Sequence, residues 1–172
     1  MRMLTVVDYD DMWPRLFESE RSLLQITLGK VISQIHHIGS TSVPGLSAKP
    51  VIDILIEVTN LAELDSMNQA MERAGYTVRG ENGISNRRYF TKGGNQRSHH
   101  IHAFTTGDAQ IIKHLAFRDY LIKNNDVAAQ YALMKKNAML LCENNSHQYS
   151  IYKADFIQKH LRIALIGAKH LK

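Results

Sequence analysis

The chain has 172 residues, 44% of them hydrophobic, and 21 basic against 16 acidic residues give a formal net charge of +5. This length suits a single domain with a sizeable core, and no apolar run approaches the roughly 18 residues of a membrane span. The single cysteine, Cys142, excludes an intrachain disulfide and is typical of a cytoplasmic protein. The positive charge favours anionic partners such as nucleotides, other phosphates or RNA.

The first part of the chain, 1–107, has the patterns and turn residues of a sheet. Six strands are predicted, at 4–7, 31–38, 51–58, 76–79, 88–91 and 99–105. A helix begins at Asp10 and carries Pro14 in its first turn, where a missing N–H costs little. The predicted apolar side of this helix consists of Leu16, Leu23, Leu24, Ile26 and Leu28. A second helix is predicted at 61–74 and ends before Gly75.

The second part of the chain, 108–172, is predicted to be helical. Asparagine-rich turns divide it into three helices, at 108–123, 126–143 and 149–167. A mixed sheet followed by a helical section belongs to the α+β class. Since no repeat or linker divides the sequence, we expect one domain over 1–172.

A loop of small and hydroxyl residues follows the predicted strand 31–38. It begins with Gly39, Ser40, Thr41 and Ser42, and Lys49 lies near its end. Small residues let backbone amides approach a phosphate closely, hydroxyls donate hydrogen bonds to it, and a lysine adds a mobile charge. The pattern therefore favours a phosphate-binding loop, although a plain polar turn has the same composition.

One carboxylate, Asp53, interrupts the very apolar strand that follows this loop. A charge in such a strand is costly unless it is paired or bound to a metal. We therefore expect Asp53 to hold Mg²⁺, or Mn²⁺ in its place, against the same phosphates. Hydrogen bonds to neighbouring amides are the structural alternative.

Four stretches of the sequence resemble the GrpB-like (UPF0157) family. They are "HIGSTSVPGLSAKPVIDILIEV" at 37–58, "HHIHAF" at 99–104, "LAFRDYL" at 115–121 and "YSIYKADFI" at 149–157. The resemblance covers nearly the whole chain and implies a branch of the nucleotidyltransferase superfamily with a polymerase-β-like fold. It also implies a site in which a Gly-Ser pair and three carboxylates hold two Mg²⁺ ions and a nucleoside triphosphate.

Carried over to this sequence, the resemblance assigns the Gly-Ser pair to Gly39 and Ser40 and the first carboxylate to Asp53. The second acidic position holds Leu55, which departs from the motif. Glu57 lies two residues further along the same strand face, so it is the candidate to assist Asp53 with the metal. No carboxylate matches the third position, because the later strand carries histidines.

Two of these histidines, His100 and His102, share one face of the predicted strand 99–105. Such a pair can bind a metal or phosphate oxygens, or one member can act as general base for an attacking hydroxyl. Pairing with carboxylates or water on a half-exposed strand is the structural alternative. Arg88, at another strand, is a further candidate for phosphate binding, or it only flanks that strand.

Each predicted helix of the second part places one cation on its apolar stripe: Arg118, Lys135 and Lys153. Burying an unpaired charge is costly, so we expect the three to share an anionic target in a cleft between sheet and helices. Ion pairs are the alternative: Arg118 with Asp119 or Asp53, and Lys153 with Asp155. Three tyrosines on these helices either stack on a base or pack in the core: Tyr131, Tyr149 and Tyr152.

Two functional hypotheses follow. The first is a Mg²⁺-dependent nucleotidyltransferase that transfers from a nucleoside triphosphate to an unknown small acceptor, with His100 or His102 as base. The second is a non-catalytic module that binds a nucleotide, a CoA-like phosphate or an RNA end in the same cleft, which the missing acid at Leu55 favours. Metal-dependent hydrolysis at the histidines ranks below both, because its ligand set is incomplete. No membrane partner is expected. A nucleic acid is a possible partner, but a small polyphosphate is favoured over it.

Overall fold

The computed structural model describes residues 5–143 and 145–169. The strands within these ranges are β1 Ile32–Ile38, β2 Ile52–Val58, β3 Tyr76–Val78, β4 Arg88–Lys92 and β5 His99–Thr105. The α-helices are α1 Trp13–Leu28, α2 Leu61–Asp65, α3 Asn68–Arg73, α4 Ala109–Lys123, α5 Asn125–Leu141 and α6 Ser146–Lys169. In the described ranges, none of these helices is both long and apolar enough to cross a membrane.

The strands form one sheet in the order β1-β2-β5-β4-β3. β2 and β5 pair in parallel, whereas the other neighbours are antiparallel, so the sheet is mixed. The parallel register sets Asp53 beside His100 and Leu55 beside His102. A mixed sheet followed by helices from Ala109 onward confirms the predicted α+β class.

One face of the sheet carries the main apolar core and is covered by α1, α2 and α3. The strands contribute alternate residues to it, among them Ile52, Ile54, Ile56, Phe90 and Ile101. Helix α1 packs on this face through Trp13, Phe17, Leu24 and Leu28. The predicted apolar side of α1 is wrong at Leu16 and Ile26, which are 44% and 84% exposed, because the inward stripe follows the two aromatic residues instead.

The opposite face of the sheet is covered by α4, with α5 and α6 packed beyond it. A small apolar cluster joins this face to α4: Ile38, Leu55, Phe104 and Ile111. A second cluster joins α4, α5 and α6 to the loop before β2, through residues that include Val43, Leu46, Leu121 and Tyr131. The inward stripes are narrower than predicted, since Ile122, Tyr152 and Ile163 are exposed.

Two predicted elements differ from the structure. Residue 4 lies outside the described residues, and in place of a strand at 5–7 there is an isolated bridge between Val7 and Ala48. The predicted helix 61–74 is two short helices, α2 and α3. Between them the Ser66 hydroxyl donates to the carbonyl of Glu63 at 2.5 Å, a local bond that competes with helical hydrogen bonding.

Candidate functional site

A cavity of about 410 Å³, hereafter the cleft, lies between the loop after β1, the adjoining face of β2 and β5, and helices α4 to α6. Ten predicted site residues line it: Gly39, Ser40, Thr41, Lys49, Asp53, His100, His102, Arg118, Lys135 and Lys153. Among the described residues, the lining carries five lysine or arginine side chains but one carboxylate. Ser42, Glu57 and Arg88, which the sequence also predicts, are not part of the lining.

Gly39 lets the loop pass directly over the Asp53 side chain. Its backbone has φ 73° and ψ −175°, a conformation that is essentially confined to glycine. A Cβ atom at this position would stand 2.6 Å from Oδ2 of Asp53. Ile38 pairs with Asp53 across β1 and β2, so the loop leaves the sheet at the carboxylate. The glycine is therefore required by its conformation and by its close contact with Asp53.

Asp53 contacts two of the three histidines of β5. Its Oδ1 lies 3.3 Å from Nδ1 of His100 and 3.5 Å from Nε2 of His102. Burial alone would raise the pKa of Asp53, but hydrogen bonds and positive charge from the two histidines outweigh it and hold the pKa well below its usual range. Asp53 is therefore ionised at neutral pH, and the predicted alternative, histidines paired with a carboxylate, describes this contact.

Two hydroxyls of the loop hold the loop itself. Thr41 is buried; its Oγ1 lies 2.9 Å from Nε2 of His37 and donates to the carbonyl of Val51 at 3.4 Å. The Ser42 hydroxyl donates to the carbonyl of Gly39 at 2.5 Å. The Ser40 side chain is hydrogen-bonded to Tyr131 and, like Thr41, lines the cleft.

Lys135 is 2% exposed and extends from α5 into the cleft lining. Its Nζ donates to the carbonyl of Ser47 at 2.6 Å and lies 4.6 Å from the centre of the Tyr131 ring. Burial, followed by the charges of Lys153 and Lys49, lowers the pKa of Lys135 to about 7. An anion in the cleft would offset this cost, because it favours the charged form.

Lys153 of α6 is a second cation of the cleft whose charged form is disfavoured by burial. Burial lowers its pKa, and the charge of Asp53 acts in the opposite direction. Arg118 of α4 is held at the other side by two contacts. Its Nε donates to Oδ1 of Asp119 at 2.9 Å and its Nη1 donates to the carbonyl of His37 at 3.1 Å. The predicted ion pair of Arg118 with Asp119 is thus present, while Arg118 also lines the cleft.

The residues present do not fit a two-ion site. Leu55 occupies the second acidic position and is fully buried. The Glu57 carboxylate lies 2.6 Å from Nε2 of His36, and four residues along a strand separate it from Asp53 by about 13 Å. Among the described residues, no group of three or more histidine, cysteine or acidic side chains is arranged to hold a metal ion.

Arg88 lies on the opposite face of the sheet from the cleft. Its Nε and Nη2 donate to the two carboxylate oxygens of Asp65 at 2.7 and 3.1 Å. Since side chains alternate along β4, Arg88 shares the face of Phe90, which belongs to the core under α1. The structure therefore places Arg88 in a bidentate ion pair and not among the candidate phosphate ligands.

Sequence reasoning missed a group at one end of the cleft, contributed by the first half of α4. His114, Lys113 and Gln110 line the cavity beside His102. The rings of His114 and His102 have centres 5.5 Å apart. Burial, and then the charge of His102, lowers the pKa of His114 to about 4, so His114 is neutral at pH 7. Gln110, Lys113 and His114 are spaced by three and four residues on one helix, and this spacing could have indicated that they share a face.

Comparison with known proteins identifies the family. The GrpB protein model matches residues 3–162, so the chain belongs to the GrpB protein family. The UPF0157 protein YqkA of Bacillus subtilis (strain 168) is 41% identical over 157 residues, which cover 91% of this chain and 46% of YqkA. The conserved protein GrpB from Enterococcus faecalis has a crystal structure that matches with a TM-score of 0.92 and 38% identity, covering 98% of this chain and 100% of that one.

A weaker structural likeness connects the chain with Cid1. The structure of Cid1 in complex with its short product ApU covers 76% of this chain and 40% of that one, with 12% identity and a TM-score of 0.49. Such a likeness is too low to transfer a site or an activity. The chain spans about half the length of YqkA, so the activity of the whole of that protein does not follow from this match either.

Proposed function

We propose that the cleft binds the polyphosphate of a nucleotide, with a nucleoside triphosphate as the preferred ligand class. The observation that carries this proposal is the convergence of cations from separate segments on one cavity. They come from the loop before β2, from α4, from α5 and from α6: Lys49, Arg118, Lys135 and Lys153. Placing like charges together in a partly buried cavity costs free energy unless an anion offsets it.

The small-residue loop completes this binding site. Ser40 lines the cleft beside Asp53 and offers a hydroxyl, and the aromatic rings of Phe117 and Tyr131 lie along the lining. Phosphate oxygens accept bonds from ammonium, guanidinium and hydroxyl groups, whereas an aromatic wall suits a base. This arrangement favours a nucleotide over inorganic phosphate alone. A nucleotide-binding role also agrees with the cytoplasmic location expected from the composition.

Titration with ATP, GTP, CTP and UTP, followed by calorimetry, tests the proposal. We expect at least one nucleotide to bind and Lys153→Met to weaken its affinity about tenfold or more. Lys159→Met is the matched control, because Lys159 is exposed on the same helix and lies outside the lining. Equal affinities for the two variants, or no binding of any nucleotide, would contradict the proposal.

A second candidate function, nucleotidyl transfer, is favoured by the contact of Asp53 with His100 and His102 of β5. In such a reaction an acceptor hydroxyl attacks the α-phosphorus, His102 or His100 accepts the hydroxyl proton, and pyrophosphate leaves towards the lysines. Asp53 stabilises the protonated histidine. The test is incubation of the protein with labelled nucleoside triphosphates and a pool of metabolites as acceptors. Release of pyrophosphate would support nucleotidyl transfer. Nucleotide binding without release of pyrophosphate would instead support the non-catalytic module that binds a nucleotide, a CoA-like phosphate or an RNA end.

A further inference from the structure

The charges that line the cleft are those of a site for a free polyanion. Five cationic side chains face one carboxylate, Asp53. A divalent cation brings two positive charges and is held in proteins by one or two carboxylates together with phosphates and water. In this cleft the protein already supplies the positive charge that an ion would contribute.

The position at which a second carboxylate would bind a cation is filled by apolar packing. Leu55 is fully buried beneath α4 in contact with the cluster of Ile38, Phe104 and Ile111. An interior packed in this way leaves no space for a hydrated ion. Leu55, which replaces the second acidic residue of the motif, thus forms part of an apolar contact between β2 and α4.

The Asp53 carboxylate, whose side chain is 29% exposed at the cleft, contacts the protein through both of its oxygens. Oδ1 faces ring nitrogens of His100 and His102 at 3.3 and 3.5 Å. Oδ2 lies against Gly39, where even a Cβ atom would come within 2.6 Å. A cation at Oδ1 of Asp53 would compete with the two histidine rings for that oxygen. The carboxylate is therefore placed to orient histidines rather than to hold an ion.

We propose that the cleft takes its polyphosphate as the free anion, with Lys49, Lys135 and Lys153 in place of a divalent cation. This inference rests on the proposed function in one respect, that the ligand of the cleft is a polyphosphate. Ammonium groups with little access to water attract a phosphate more strongly than exposed ones, because the surrounding dielectric is lower. Divalent cations then compete with the protein for the phosphate oxygens.

Calorimetric titration with inorganic tripolyphosphate, in excess EDTA and again in excess Mg²⁺, tests the inference. We expect the dissociation constant in EDTA to be equal to or lower than that in Mg²⁺. A dissociation constant about tenfold higher in EDTA, or no binding in EDTA, would overturn it.

The variant Asp53→Asn gives an independent readout. If Asp53 held a cation, Asp53→Asn would abolish the binding measured in excess Mg²⁺. Because the protein binds the free anion, the loss of one negative charge should leave the affinity in Mg²⁺ unchanged or increase it. A loss of affinity in Mg²⁺, in a variant with an unchanged melting temperature, would count against the inference. Should Asp53→Asn unfold, the comparison of EDTA with Mg²⁺ on the unmodified protein decides alone.

The same titrations with ATP separate this inference from the proposed function. Binding of tripolyphosphate in EDTA without binding of any nucleotide would contradict the proposed function and support the free-anion inference. Binding of ATP that requires Mg²⁺ would support the proposed function and contradict the free-anion inference. Failure of tripolyphosphate and nucleotides to bind under either condition would contradict both.

Discussion

Lys49 and Lys153 share one aromatic ring. Their Nζ atoms lie 5.0 and 4.8 Å from the centre of the Tyr149 ring, although one lysine precedes β2 and the other belongs to α6. Two ammonium groups repel each other, and each is attracted by the electron-rich face of an aromatic ring. The buried ring of Tyr149 therefore stabilises two cations that both line the cleft.

This relationship predicts that the ring of Tyr149, and not its hydroxyl, matters for binding. The hydroxyl is buried and has no hydrogen-bond partner within residues 5–143 and 145–169. We expect Tyr149→Phe to keep the affinity for tripolyphosphate and to leave the melting temperature equal or higher, because an unsatisfied polar group is removed. Tyr149→Leu should weaken binding severalfold. Calorimetry and thermal unfolding measure both effects, and equal affinities of the Phe and Leu variants would refute the role of the ring.

The affinity for tripolyphosphate should decrease as pH rises through about 7. Burial, Lys153 and Lys49 lower the pKa of Lys135 to about 7, against the opposing charge of Asp53. A bound anion raises this pKa, so above it the protein must take up a proton in order to bind. Titrations from about pH 6 to about pH 9, in buffers of different ionisation enthalpy, measure the uptake. Lys135→Met is the reference, because it retains only the pH dependence of the ligand and other groups.

Gly39→Ala should destabilise the fold far more than a similar change elsewhere. The new Cβ would meet Asp53 in addition to the unfavourable backbone conformation. The control is Gly29→Ala, since Gly29 also has a positive φ, of 52°, and no described atom lies within 4 Å of the added Cβ. We expect losses of unfolding free energy of about 3 and about 1 kcal/mol, respectively, in urea denaturation. Similar losses in both variants would show that contact with Asp53 adds nothing.

Glu20 is expected to stabilise the fold without affecting the cleft. It is buried on the opposite face of the sheet, where it accepts hydrogen bonds from Tyr76 at 2.6 Å and Lys92 at 2.5 Å. Burial would raise the pKa of Glu20, but these bonds outweigh it and leave the pKa lowered, so its contribution is lost as pH falls through that value.

Glu20→Gln should therefore cost about 2 kcal/mol or more at neutral pH, whereas the exposed Glu18→Gln should cost little. Urea denaturation of the two variants, with tripolyphosphate affinity as a second readout, makes the comparison. A weaker affinity in Glu20→Gln would mean that the two faces of the sheet are coupled.

Two arginines that the sequence nominates for phosphate binding should behave differently. Arg118 lines the cleft, whereas Arg88 pairs with Asp65 on the other face. We expect Arg118→Gln to weaken tripolyphosphate binding about tenfold and Arg88→Gln to leave it unchanged. Calorimetry under one buffer condition compares them directly. An equal effect of both substitutions would contradict the placement of Arg88.

Some of the residue positions that the structure corrects could have been predicted from the local sequence pattern. Arg88 and Phe90 are two residues apart in β4, so alternation puts them on one face, and a large aromatic residue is more often turned to the core. Other placements depend on register. Glu57 meets His36 because β1 pairs with β2 antiparallel with an irregularity near Gln34, and no periodicity within either strand contains that information.

The sequence by itself determined the α+β class, most element positions, the glycine-led loop, the isolated carboxylate and the two histidines on one strand face. Each of these depends on backbone preferences or on periodicity over a few residues. Helix periodicity also indicated a shared cleft for Lys135 and Lys153, whereas only the tertiary structure decided that Lys49 and Lys153 meet at the ring of Tyr149 and that Glu57 lies outside the cleft. Those positions are set by strand register and helix packing, which arise from contacts between residues far apart in the chain, and local periodicity carries no record of them.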